Sequence, residues 1–286
     1  MENKKVAIIV DTAIDVPQAF VDRYHIFEVP ITVIFSDGEF RDHLDITPCE
    51  VYERLKQEIP KTSLPSGEMI QTTFDQVVDE GYTQALIFTM SSQMSGTNNL
   101  FKLMAEEEKR LETFVFDTRS IGLGGGLFAI EAAEALENDK TFEYIIDHIC
   151  SDVTKSKLFG KFETFDFLQK GGRVGLVTAK IGSLLNIKPI ISVNEDGVIY
   201  TAAKVKGDKK ARKEMLKLID ECIHLDEEYD LLVLDGENHE EAMYFTEMLK
   251  EKYPQYRLFE EHIGSALGIH TGPGMVIVGA YRKNKG

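Results

Sequence analysis

Four short polar loops carry the residues in this chain that could do chemistry. They are Lys61-Thr62-Ser63-Leu64-Pro65-Ser66, Ser91-Ser92-Gln93-Met94-Ser95-Gly96-Thr97, Lys170-Gly171-Gly172-Arg173 and His270-Thr271-Gly272-Pro273-Gly274. Each sets hydroxyl, guanidinium or imidazole donors beside Gly or Pro, and each adjoins a segment that reads as a strand or a helix start. Loops held this way on a rigid α/β scaffold are where binding chemistry concentrates. Together with the turn Asp11-Thr12-Ala13-Ile14-Asp15 they suit one small anionic head group. The chain lacks a G-x-S-x-G nucleophile elbow, a G-x-x-x-x-G-K-[ST] phosphate loop and any H-E-x-x-H pattern. No serine-hydrolase or nucleotide chemistry is therefore expected, and no metal.

Each loop also has a plainer reading. Ser95-Gly96-Thr97 precedes a helix, whose free N–H groups could bind an anion, or Ser95 could simply cap that helix. Thr62 and Ser63 precede Leu64-Pro65, which favours extended backbone with hydroxyls free to donate; an ordinary turn is the alternative. Arg173 is the only arginine between Arg119 and Arg212. Its donor fork suits carboxylate or phosphate, or it pairs with one of the many acidic residues. His270 could donate to an anion or be satisfied by backbone. The glycines Gly122, Gly124, Gly125 and Gly126 do not form G-x-G-x-x-G and do not follow the first strand, so close helix packing explains them better than a dinucleotide.

The elements that must position these loops follow from periodicity. Val6–Val10 reads as a buried strand, a helix starts at Val16-Pro17 and runs to Tyr24, and 27–35 reads as one strand ending at a Ser36-Asp37-Gly38 turn. Thr47-Pro48-Cys49-Glu50 is a capping box opening a helix to about Gln57. Helices over 68–80, from the Ser91–Thr97 loop to about Leu111, and from the glycine run to about Leu136 alternate with strands at 84–90 and 113–116. Residues 141–154 read as one helix. Beyond it, strands at 157–161 and 188–193 flank two helical pieces. Asn194-Glu195-Asp196-Gly197 turns an antiparallel hairpin back along 198–204. Helices at 209–223 and 239–253 and strands at 230–234, 257–261 and 275–281 complete the chain, with 264–274 read as a loop. The first half thus predicts a parallel α/β sheet and the second a mixed or antiparallel α/β sheet. A soft boundary falls near 155, giving domains 1–155 and 156–286. With no linker between them they should share a large interface, and a cleft there favours a ligand.

Composition narrows the function. Thirty-two basic against 48 acidic residues leave a formal charge of −16, which excludes a nucleic-acid surface and disfavours long residence on an anionic membrane. Three distant cysteines, Cys49, Cys150 and Cys222, form no pair or zinc spacing. No apolar run approaches a membrane span and the N-terminus does not read as a signal peptide, so a cytoplasmic location is expected.

The loops in their order, with Asp117-Thr118, Leu168-Gln169 and Lys188-Pro189, resemble those of the DegV-type fatty-acid-binding proteins of bacteria over essentially the whole chain. The resemblance implies a two-domain α/β fold with a lipid tunnel between or within its halves, enclosing one long-chain fatty acid. It implies a carrier without catalysis of its own and without a cofactor, which presents the carboxylate to a partner fatty acid kinase; the acyl-phosphate then feeds phospholipid synthesis. Membrane contact would be only transient. Carried over, the carboxylate ligands are Thr62 or Ser63, Ser95, Arg173 and His270, supported by Gly96, Thr97, Gly272 and Gly274. Arg173 and His270 are expected at the mouth of the carboxylate end. The chain departs from the family at Thr12-Ala13, where two hydroxyls are common, and at Asn98, where Tyr is common. The residues alone leave a second possibility, an enzyme acting on a small phosphorylated or carboxylated metabolite with His270 as general base.

Overall fold

The computed structural model describes residues 5–164, 166–173 and 187–284. Its first half is built on strands β1 (Val6–Asp11), β2 (Phe27–Val29), β6 (Gln84–Thr89) and β7 (Glu112–Asp117), all parallel, in the order β2-β1-β6-β7. Every residue of β6 is buried, as a strand covered on both faces requires. One face, with Ala7, Ile9 and Ile87, packs on Ile70, Phe74 and Phe101 of helices α3 (Gly67–Asp79) and α4 (Thr97–Glu107). The other face, with Ile8, Val10, Leu86 and Phe88, packs on α5 (Leu123–Glu137).

Helix α5 is sandwiched between two sheets. It touches β1 and β6 on one side, and β8 (Ser156–Lys161) and β13 (Met275–Arg282) on the other. This explains why Leu123 to Ala133 is buried without a break. It also explains the glycine run. A Cβ on Gly124 would lie 2.7 Å from the Leu158 side chain, and one on Gly126 would lie 2.5 Å from the Ile14 carbonyl. The glycines are there for close packing on both sides.

The second half carries a six-stranded mixed sheet in the order β10-β9-β8-β13-β11-β12, with β9 (Ile187–Val193), β10 (Ile199–Lys206), β11 (Tyr229–Gly236) and β12 (Arg257–His262). All neighbours are antiparallel except β11 and β12. The hairpin at Asn194–Gly197 pairs Val193 with Ile199. Helices α8 (Asp208–Cys222) and α9 (His239–Lys252) cover the outer face through Met215, Ile219, Phe245 and Leu249. The hairpin turn reaches back to the first half, where Ser91 Oγ donates to the Gly197 carbonyl at 2.8 Å.

A third sheet corrects the reading of 27–35 as one strand. Pro30 cannot donate to a ladder, and the chain leaves the first sheet there. It re-enters as β3 (Thr32–Phe35), which pairs with β4 (Gly38–Arg41) and β5 (Lys61–Ser63) in the antiparallel order β4-β3-β5. Helix α2 (Pro48–Leu55), opened by the Thr47–Glu50 capping box, packs its Val51, Tyr52 and Leu55 beneath this sheet.

The remaining differences have local causes. Helix α1 covers Gln18–Tyr24, with Pro17 just outside it as the N-cap residue. Residues 141–154 form not one helix but three pieces: the single turn α6 (Phe142–Tyr144), a wide π-helical turn over Ile145–Ile149 and a 3₁₀ turn over Val153–Lys155. Of the two helical pieces expected between 161 and 188, α7 spans Asp166–Lys170; the second lies outside the described residues. The segment 264–274 is not all loop, since Ser265–Thr271 is helix α10. No helix of the described residues is long and apolar enough to cross a membrane.

Candidate functional site

A cavity of about 230 Å³ lies where the three sheets meet. Met90, Met94 and Ile121 reach it from the first half. Leu158, Ile191, Ile199, Met275 and Ile277 reach it from the six-stranded sheet. Gly160 makes room here, because a Cβ on it would lie 2.4 Å from Met275 Cε. The lining is mostly apolar, but Thr62, Ser63, Ser95, Arg173 and His270 all border the same cavity. Four loops that are far apart in sequence thus converge on one space.

Each residue is held by its element. Thr62 and Ser63 lie on β5, so their backbone is extended, with Thr62 paired to Val33 and Ser63 to Thr32. Thr62 is half-buried and Ser63 is exposed. His270 sits in the last turn of α10, not in a loop, and its Nε2 lies 2.9 Å from Thr62 Oγ1. The glycines that follow end this helix. Gly272 (φ +71°) and Gly274 (φ +94°) adopt left-handed backbone, and Cβ atoms there would collide with Phe167 and Glu163.

Burial, reinforced by the Arg173 charge, pushes the His270 imidazole down to about 4. The ring is therefore neutral at pH 7 and carries one N–H. Its Nδ1 is buried without a partner. A lone acceptor is tolerated better than a lone donor, so the arrangement favours Nδ1 as the bare nitrogen and Nε2–H as the donor to Thr62.

Ser95 does not cap α4. The N-cap position is Gly96, which makes no side-chain bond, and Ser95 stands one residue further back. Its hydroxyl shares a 2.8 Å hydrogen bond with Thr97 Oγ1 and accepts from Thr97 N–H at 3.3 Å. Thr97 is fully buried, and Gly96 packs beside Leu64, so this loop and the end of β5 support each other. Behind the loop, Asp117 Oδ1 accepts from Ser92 N–H, and the Thr118 hydroxyl donates to the Thr89 carbonyl. Of the departures noted in sequence, Thr12 Oγ1 accepts from Ile31 N–H and Asn98 Nδ2 donates to Thr89 Oγ1.

Arg173 is exposed. It donates from Nη1 to the Gly171 carbonyl at 2.7 Å and weakly from Nε to the Met94 carbonyl. Among the described residues it has no ion pair, so its charge is available at the rim. No group of three or more His, Cys, Asp or Glu among the described residues is placed to hold a metal.

Two site features were not read from sequence. Gly171 lies against the imidazole, since a Cβ there would fall 2.1 Å from His270 Nδ1. The Met94 carbonyl tethers Arg173 across the cavity. Both are contacts between distant segments, and no local pattern signals either one.

Comparison with known proteins identifies the family. The family described as "Uncharacterised protein, DegV family" matches residues 5–283. A DegV domain-containing protein of Clostridium acetobutylicum is 35% identical over 280 residues, covering 98% of this chain and all of its own. The fold superposes with a TM-score of 0.89 on a DegV family protein from Thermus thermophilus solved for its fatty acid binding, 28% identical, covering 97% of this chain and 99% of that one. It superposes at 0.88 on DegV, a fatty acid binding protein from Bacillus subtilis, 25% identical, covering 98% and 100%. With nearly all of its length matched in both sequence and fold, the chain belongs to the DegV family.

Proposed function

We propose that this protein binds one long-chain fatty acid, with the tail among the apolar residues of the cavity and the carboxylate at the polar end. The observation that carries this is the juxtaposition in one space of an apolar lining with Thr62, Ser95, His270 and Arg173. Burying a methylene contributes about 0.8 kcal/mol, so the tail supplies most of the affinity. A buried carboxylate without partners would be very unfavourable, and the hydroxyls answer that need. In this reading His270 Nε2–H donates to Thr62 Oγ1, which frees the Thr62 proton for the carboxylate. Ser95 donates from the opposite loop, and Ser63, on the exposed side of β5, is the lesser candidate. Fatty acid binding by the Thermus thermophilus and Bacillus subtilis relatives supports a fatty acid as the ligand.

The protein acts as a carrier rather than a catalyst. A partner fatty acid kinase phosphorylates the bound carboxylate, and Arg173 at the rim meets the added charge. An imidazole held near 4 is a weak base at neutral pH, which counts against the alternative of a metabolite enzyme using His270 as general base. Purified protein should yield, on organic extraction and mass spectrometry, a stoichiometric long-chain fatty acid. Protein that neither carries nor takes up any acyl chain would reject the reading.

A further inference from the structure

The turn Asp11-Thr12-Ala13-Ile14-Asp15 is the sequence motif that the pocket does not use. Asp15 ends this turn in left-handed backbone, φ 46° and ψ 50°. Outside glycine this conformation is uncommon, and Asp is one of the few residues that adopt it. Its side chain makes a contact that no smaller residue could make. Oδ2 accepts a hydrogen bond from Gly264 N–H at 3.1 Å, across 249 residues of sequence. The fit leaves no room, because a Cβ on Gly264 would lie 1.9 Å from Asp15 Oδ1.

Gly264 is the residue from which α10 starts, and His270 is in the last turn of that seven-residue helix. Along the helix, Gly268 is pressed against the Tyr52 ring, where a Cβ would lie 2.7 Å from the hydroxyl. At the far end Gly171 abuts the His270 ring. A two-turn helix so confined has little room to shift, and Asp15 holds the N-cap residue that leads into it.

We propose that Asp15 is a positioning residue for the carboxylate end of the pocket: by holding Gly264 N–H it sets the placement of α10 and so of the His270 imidazole opposite Thr62. The proposal rests on the fatty-acid reading of the pocket.

The ionised carboxylate is the stronger acceptor, so the hold depends on its charge. Burial pushes the Asp15 carboxyl up to about 7, against the Gly264 N–H and the His43 charge, which favour ionisation. The titratable groups facing it are Asp11 from β1, Asp42 and His43 from the segment after β4, and Tyr52 from α2. Asp11 titrates in the same range, because burial also raises it to about 7. A comparison with Asp15→Asn removes the Asp15 contribution and keeps that of Asp11.

The test is to measure dissociation constants for hexadecanoate and for hexadecan-1-ol at pH 6 and pH 8, in the wild type and in Asp15→Asn. The alcohol shares the tail and reports on the fold of the pocket. The acid also reports on the placement of His270. The wild type should prefer the acid more strongly at pH 8 than at pH 6. In Asp15→Asn the alcohol should bind within about twofold of the wild type. Its preference for the acid at pH 8 should fall by about five- to tenfold, the size of a weakened hydrogen bond to a charged group, and should vary with pH less than in the wild type, with only the Asp11 contribution left. A wild-type pH profile in the variant, or an equal loss of both ligands, overturns the proposal alone. A wild type that binds neither ligand overturns the reading of the pocket and this proposal with it. An independent check needs no variant: the His270 ring resonances of the wild type should shift with a midpoint near pH 7, well above the ring's own titration, and a flat profile there also overturns the proposal.

Discussion

His270 Nε2 and Thr62 Oγ1 meet at 2.9 Å although 208 residues separate them in the chain. One stands on helix α10, which packs against α2 and α7, the other on the last strand of the small antiparallel sheet. The contact joins two polar groups on the border of an apolar cavity, where each without the other would face a poorly solvated space.

The first prediction tests that pair as a unit. Thr62→Val keeps the shape and removes the hydroxyl, and His270→Ala removes the donor behind it. Each alone should weaken fatty acid binding by about 1.5–3 kcal/mol, the worth of a hydrogen bond to a charged group. If the His270 proton acts through Thr62, the double variant should lose little more than either single one. Titration calorimetry on the four proteins gives the coupling directly, and strictly additive losses would show that the two side chains act separately.

Gly171→Ala should be costly despite its mildness. The added methyl would fall 2.1 Å from His270 Nδ1, and either the ring or the 170–173 segment must give way. Overpacking of this kind costs about 1–3 kcal/mol. Urea unfolding should register that loss, and fatty acid affinity should fall with it. Gly172→Ala offers the contrast, since nothing lies within 4 Å of a Cβ there and only its φ of +70° is strained. Equal affinities in the two variants would remove Gly171 from the site.

Much of the architecture was legible because it rests on local rules. β6 reads as a strand because Ala85-Leu86-Ile87-Phe88 is a short apolar run, and the Asn194–Gly197 turn announces its hairpin. The Thr47–Glu50 capping box forms with both of its reciprocal bonds. Helix α10 was hidden because Ser-Ala-Leu-Gly-Ile-His-Thr has no polar face and carries a glycine at its centre; burial on all sides erases the amphipathic period. The three-stranded sheet was hidden because β4 and β5 are too short to show alternation and are fixed by pairing with β3. Loop chemistry alone leaves each of the five candidate ligands with a plainer alternative, and it is the family resemblance that groups them; all five border one cavity. What the loops could not tell was their mutual geometry: that Thr62 rather than Ser63 meets His270, that Ser95 stands behind the cap, and that Asp15 reaches Gly264.

Stability should depend on pH through His43. Burial opposes the charge on its ring, but the hydrogen bond to Glu28 at 3.2 Å and the charges of Asp42, Glu28 and Asp15 outweigh it and raise the imidazole to about 9. A group raised in the folded state stabilises it below the unfolded value, near 6.5, and loses that contribution as pH rises through 9. The protein should therefore lose roughly 2–3 kcal/mol between pH 6.5 and 9.5 from this ring. His43→Gln should be less stable at pH 6.5 and should show a flatter profile above it. Urea midpoints across that range check the sign, and a variant with an unchanged slope would assign the pH dependence elsewhere.

Arg173 is the residue whose role separates binding from transfer. Its guanidinium is exposed, has no ion pair among the described residues, and is aimed by the Gly171 and Met94 carbonyls. A free carboxylate carries one negative charge, and an acyl-phosphate carries more and offers oxygens that suit a planar fork. Arg173→Ala should therefore leave fatty acid affinity within about threefold, since the tail dominates it. It should cut kinase-coupled formation of acyl-phosphate by at least tenfold, equivalent to about 1.4 kcal/mol. Arg173→Lys restores the charge without the bidentate geometry and should recover only part of that loss. Parallel measurements of lipid affinity, complex formation with the kinase and acyl-phosphate yield distinguish the possibilities. If Arg173→Ala matches the wild type in both docking and transfer, the guanidinium serves only to bridge the Gly171 and Met94 carbonyls. Should lipid affinity collapse along with transfer, Arg173 instead grips the carboxylate itself.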